Sequence, residues 1–134
     1  MRIMAIDYGD AHTGIAISDP TGLLAGFTTV INSRRQEVVV EQVTLLAKEH
    51  GAEELVLGHP VNMDGTLGPR SEKAKAMKAL LEEATALPVV LWDERRTTID
   101  AHNILFNSGK NAKQRKKVVD AVAASLILEG YLTF

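Results

Sequence analysis

The chain opens on a nearly continuous apolar run from Met1 to Ile6 that stops at Asp7, just before Tyr8-Gly9-Asp10. A short run of this kind bounded by turn residues suits a strand buried on both faces. Thr13 to Ser18 and Leu23 to Ile31 are the next strand segments, and Asp19-Pro20-Thr21-Gly22 between them supplies a turn, so the two should pair antiparallel. The period then changes. Ser33 followed by Gln36 has the spacing of a capping box, and Val39, Val43, Leu46 and Ala47 recur at helical intervals up to Gly51. Glu54 to Gly58 reads as a strand and Pro60 through Gly68 as a loop. Met77, Leu80, Leu81 and Ala84 define a second helix face, closed by Leu87-Pro88, and Val89 to Trp92 is the last strand. Thr97 with Asp100 starts a third helix reaching about Phe106, Asn107 to Lys117 breaks the pattern, and Val118 to Leu132 forms a final helix on Ala121, Ala124, Ile127, Leu128 and Tyr131.

This order predicts an α/β fold: a mixed five-stranded sheet, three antiparallel strands first and then parallel additions, with helices on both faces. At 134 residues, residues 1–134 are expected to form one domain. Hydrophobic residues at 46% against 24% charged give the balance of a globular protein and not of a disordered or membrane chain. The first apolar stretch is too short for a signal segment or a span, so a cytoplasmic protein without membrane contact is the default. There is no cysteine, which removes disulfides, thiolate nucleophiles and Cys-ligated zinc.

A formal charge of -2 argues against a generally basic binding surface. The charges are uneven, however. Lys110, Lys113, Arg115, Lys116 and Lys117 crowd into one stretch and leave the rest of the chain distinctly acidic, so polyanion contact should concentrate there unless the stretch is only a solvated loop.

Three carboxylates stand out. Asp7 ends a buried strand, at the sheet edge where α/β proteins tend to place ligands, although an Asp before Tyr-Gly also suits a turn cap. Glu94 follows a strand end too, inside Asp93-Glu94-Arg95-Arg96, where an acidic pair beside an arginine pair can hold a cation and a phosphate together. A surface ion-pair cluster would use the same residues. Asp93 and Glu94 point to opposite faces if the strand continues, so only one of them can join a shared site. Asp120 sits among alanines and aliphatic residues in the final helix, where it could serve a site or merely complement the helix dipole. Carboxylates gathered from two strand ends and a helix would repel one another unless a divalent cation bound between them. Oxygen ligands suit magnesium, and two such ions could assist phosphodiester cleavage.

Asp7-Tyr8-Gly9 with Gly14-Ile15-Ala16 and Ser18-Asp19, then Gly58-His59-Pro60-Val61-Asn62-Met63-Asp64-Gly65-Thr66, then Asp93-Glu94-Arg95-Arg96-Thr97-Thr98, and finally Val119-Asp120 with Ala123-Ala124 and Leu126-Ile127-Leu128 resemble, block by block, the YqgF family. That family is also called RuvX, pre-16S rRNA nuclease or Holliday junction resolvase-like, and the blocks cover nearly the whole chain. The resemblance implies an RNase H-like fold and a nuclease using Mg2+ or Mn2+. It places catalytic and metal-binding roles on Asp7, Glu94 and Asp120; the charge pattern adds Arg95 and the cations at Lys110, Lys113, Arg115, Lys116 and Lys117 as substrate contacts. The implied substrate is structured RNA, in maturation of the 5′ end of 16S pre-rRNA, with the assembling ribosome as a possible setting; a monomer or weak homodimer is expected. Branched DNA is the alternative substrate.

His12 stands where the family often has a lysine or arginine, and His59 replaces an aliphatic residue; without His-x-x-x-His spacing neither signals zinc. His50 reads as a helix-end residue and His102 as part of a helix surface. Two other classes compete. One is an ATPase of the sugar-kinase type, whose first phosphate loop shares Asp7-x-Gly9 and a later Gly14, but such enzymes need two lobes. The other is an idle RNA-binding module, for which acidic residues in a phosphate-binding surface would weaken affinity unless metal neutralised them.

Overall fold

The computed structural model describes residues 1–19, 25–60, 68–93 and 112–133, with backbone alone at 25, 112–121 and 133. The described elements are β1 (Ile3–Asp7), β2 (His12–Ser18), β3 (Ala25–Asn32), α1 (Gln36–His50), β4 (Glu54–His59), α2 (Pro69–Thr85), β5 (Val89–Asp93) and α3 (Ala112–Thr133). They form a five-stranded sheet in the order β3-β2-β1-β4-β5. β2 pairs antiparallel with both β1 and β3, whereas β4 runs parallel to β1 and β5 parallel to β4, as the element order predicts.

Alternation along β1 divides the core in two. Met4 and Ile6 join Ile15, Ile17, Leu55 and Leu57 beneath α1 and α2, against Val39, Val43, Ala74, Met77 and Leu81. Ile3 and Ala5 point the other way with Ala16, Val56 and Trp92 toward Ala124, Ile127 and Leu128 of α3. Two small residues, Ala5 and Ala16, are paired across β1 and β2 on this second face, and fully buried Ala124 lies in the same cluster. Small side chains on both surfaces let the helix approach the strands closely.

Three boundaries differ from the sequence reading. α1 starts at Gln36 with Arg35 as its N-cap and no side-chain cap bond; the Ser33 hydroxyl accepts the Arg35 amide at 3.1 Å, so Ser33 shapes the turn before the helix instead of closing a capping box. Glu37 then carries the acidic first turn, and hydrogen bonds from the backbone and from Arg35 hold its carboxyl below the usual range. The buried face of α2 is Ser71, Ala74, Met77 and Leu81, while Leu80 and Ala84 are exposed, which is a rotation of the expected stripe by about one residue. Finally, α3 begins at Ala112 and not at Val118. Residues 112–117, expected in a loop, are helical, and alanine, lysine, glutamine and arginine are all good helix formers. The helix expected from Thr97, most of the Pro60–Gly68 loop and most of the Asp19–Gly22 turn lie outside the described residues. No helix among the described residues is long and apolar enough to cross a membrane.

Candidate active site at the carboxyl edge of the sheet

β1, β4 and β5 end side by side, so their carboxyl termini make one edge bearing Asp7, His59 and Asp93. The same alternation that splits the core sorts these side chains. Asp7 follows Ile3 and Ala5 onto the face covered by α3. His59 follows Leu55 and Leu57 onto the opposite face, and Asp93 shares the parity of Val89 and Leu91, also away from α3. His59 and Asp93 are direct cross-strand partners there. Asp93 therefore faces away from Asp7, and its neighbour Glu94 lies outside the described residues.

Asp7 lies between two glycines in the sheet. Its partner on β2 is Gly14, and on β4 the residue after Leu57, the partner of Ile6, is Gly58. Glycine on either strand adds no side chain beside this half-buried carboxylate. Its turn is equally constrained: a Cβ on Gly9 would lie 2.4 Å from the carbonyl oxygen of His12, closer than atoms can approach. Only glycine lets the chain reverse this tightly after Asp7.

The histidines have local partners. His12 Nδ1 lies 2.7 Å from Asn32 Oδ1 across β2 and β3. His59 Nε2 lies 2.6 Å from the hydroxyl of Ser71, which is fully buried in the first turn of α2. His50 ends α1 as expected and stacks at 4.5 Å on Phe27.

Of the site residues expected from the sequence, only Asp7 has a described side chain. Glu94, Arg95 and Lys110 lie outside the described residues, as do Asn62, Asp64 and His102; Asp120, Lys113, Arg115, Lys116 and Lys117 are described as α3 backbone. Among the described residues no three His, Asp or Glu side chains gather to hold a metal. The sequence reading passed over the start of α2, where Arg70 and Lys73 line a cleft with Tyr8, Gly9, Asp10 and Gly58. An Arg-x-x-Lys pair behind Gly68-Pro69 was its only trace in the sequence.

The family model described as RuvX, Holliday junction resolvase, matches residues 1–133. A protein of Halothermothrix orenii named "Putative pre-16S rRNA nuclease" is 43% identical over 134 residues, covering 100% of this chain and 96% of its own. One of the same name from Listeria monocytogenes is 44% identical, covering 98% and 97%. Among solved structures, Thermus thermophilus RuvC in complex with Holliday junction substrate superposes with a TM-score of 0.64 at 14% identity, over 99% of this chain and 96% of that one. The fold is thus RNase H-like. A hexokinase of the same organism matches at a TM-score of 0.54 and 23% identity, over 77% of this chain and 38% of its own, so the two share part of a fold.

Proposed function

We propose that this chain, which belongs to the RuvX family, is a divalent-metal-dependent nuclease that cleaves phosphodiester bonds in structured RNA, acting in maturation of the 5′ end of 16S pre-rRNA. The observation that carries the reading is Asp7 at the carboxyl edge, set between Gly14 and Gly58 on the face that α3 covers. Glu94 comes two positions after Trp92, which packs on that face, so the period of a strand would give the two the same face. Asp120 precedes the buried Ala124 by one helical turn. The last turn of α3 is fastened by Tyr131 to Glu54, at the amino end of β4.

Oxygen ligands from three carboxylates suit magnesium or manganese, which would supply positive charge beside a phosphoryl oxygen and lower the pKa of a bound water. Asp7, Glu94 and Asp120 would hold the ions, and Arg95 would grip a phosphate oxygen with its planar fork. Lys110, Lys113, Arg115, Lys116 and Lys117 would draw the backbone toward the edge. RNA is preferred because the relatives carry an rRNA nuclease name. The family description and the likeness to RuvC favour branched DNA as the second reading.

The deciding experiment incubates the purified protein with precursor ribosomal RNA and with a four-way DNA junction, with and without magnesium or manganese. Cleavage of RNA that stops in excess chelator is expected. Preference for the junction would transfer the substrate to the second reading, and binding without cleavage of either would leave an RNA-binding module.

A further inference from the structure

We infer that Arg70 and Lys73 form a subsite for a backbone phosphate of the RNA, on the side of the carboxyl edge away from α3. The inference deepens the nuclease reading and rests on it for the identity of the polyanion. Arg70 and Lys73 are three apart on the first turns of α2, so they project from the same side of the helix. With Tyr8, Gly9, Asp10 and Gly58 they line a cleft that adjoins the strand end carrying Asp7. Asp10 is three positions on from Asp7, a reach of at most about 11 Å, so a phosphate at the mouth of the cleft belongs to a nucleotide within a step or two of the one held at Asp7.

Both walls of the cleft are fixed in advance. The turn on one side is held by Gly9, where no side chain fits against the His12 carbonyl. The other side is pinned by the 2.6 Å bond between His59 at the end of β4 and buried Ser71, the residue that follows Arg70. The backbone that carries the two cations is thus preset, and the ordering left to a ligand is that of the two side chains. The charges suit an anion: Arg70 makes no ion pair among the described residues, and Lys73 meets only Asp10, at 3.2 Å, with both side chains largely exposed. An exposed pair of this kind is weak enough for a phosphate to displace. Asp10 is also the one acidic group among the described residues of the cleft, so it opposes an incoming phosphate and should weaken occupancy.

The test measures binding of a fluorescein-labelled RNA hairpin with a single-stranded 5′ extension, in calcium to suppress turnover, over a salt series. Arg70→Gln and Lys73→Gln should each weaken binding roughly three- to tenfold and flatten the salt slope by about 0.7 to 0.9. Asp10→Asn should tighten it. Lys75→Gln removes the same charge from the far side of α2, where Lys75 meets Glu72, and should change little. Equal losses for all three cation variants would mean net charge alone and would overturn the subsite, as would unchanged affinity and slope for Arg70→Gln and Lys73→Gln. Because binding is read without turnover, a wild type that binds in this pattern but never cleaves would remove the nuclease reading and leave the subsite standing.

Discussion

The hydroxyl of Tyr131 donates to the carboxylate of Glu54, joining the last turn of α3 to the residue that begins β4. The Tyr131 ring also meets Trp92 edge-on at 5.9 Å, so one side chain ties the final helix to both parallel strands at the end of the sheet. The bond to Glu54, and after it partial burial, raises the Tyr131 pKa above 10. Stability from a raised pKa is complete below the unfolded value and is lost as pH climbs through the folded one. The wild type should therefore lose stability above about pH 10, with Tyr131→Phe less sensitive in that range and about 1 kcal/mol less stable at neutral pH. Urea titrations of both proteins at pH 7 and across the alkaline range measure this; identical pH profiles would refute it.

Metal should reverse the effect of neutralising the proposed ligands. Without it, clustered carboxylates repel, and Asp7→Asn, Glu94→Gln or Asp120→Asn should be tolerated or slightly stabilising. With magnesium at a hundredfold excess over Kd the wild type should gain about 2.7 kcal/mol, and each variant should lose most of that gain along with cleavage. Melting curves and cleavage assays with and without magnesium check this for all three. An active Asp120→Asn protein with an intact metal shift would show a helix-dipole partner and not a ligand.

The basic start of α3 should bind without being needed to fold. Alanine at Lys113, Arg115 and Lys116 keeps helix propensity, so the melting temperature should hold while RNA affinity falls and its salt slope flattens. Unchanged binding would assign these charges to solvation alone.

Thr13 carries a hydroxyl that is fully buried on β2 and has no hydrogen-bond partner among the described residues. Valine has the same shape without the unmet polar group. Thr13→Val should raise stability by about 1 kcal/mol and leave cleavage unchanged. A destabilised variant would mean that the hydroxyl has a partner in solution.

The sheet was legible because its strands are apolar runs cut off by Asp, Gly and Pro: β1, β4 and β5 lie within a residue or two of their expected ends. Helix faces were less so. Met77 and Leu81 fit a stripe that includes Leu80 and Ala84 as well as one that includes Ala74 and Ser71, and what selects the second is the bond that lets Ser71 be buried against His59. Such a bond spans twelve residues and leaves no trace in hydrophobic spacing. Residues 112–117 read as a break because they lack apolar periodicity, yet propensity alone can extend a helix anchored further along by Ala124, Ile127 and Leu128. Asp7 was visible as a strand-end carboxylate, whereas the glycines flanking it, Gly14 and Gly58, acquire meaning only from strand register.

Because β1 stands between its partners near the start of the chain and α3 is the last of the described helices, Ile3, Ala5, Ala16 and Val56 stay uncovered during synthesis until that helix has been made. A nascent or truncated chain could build the α1 and α2 side of the sheet and still expose a greasy strip on the other, an open invitation to aggregation or chaperone capture. Were Asp120 the ligand proposed above, cleavage too would wait for α3, since the residue belongs to that helix.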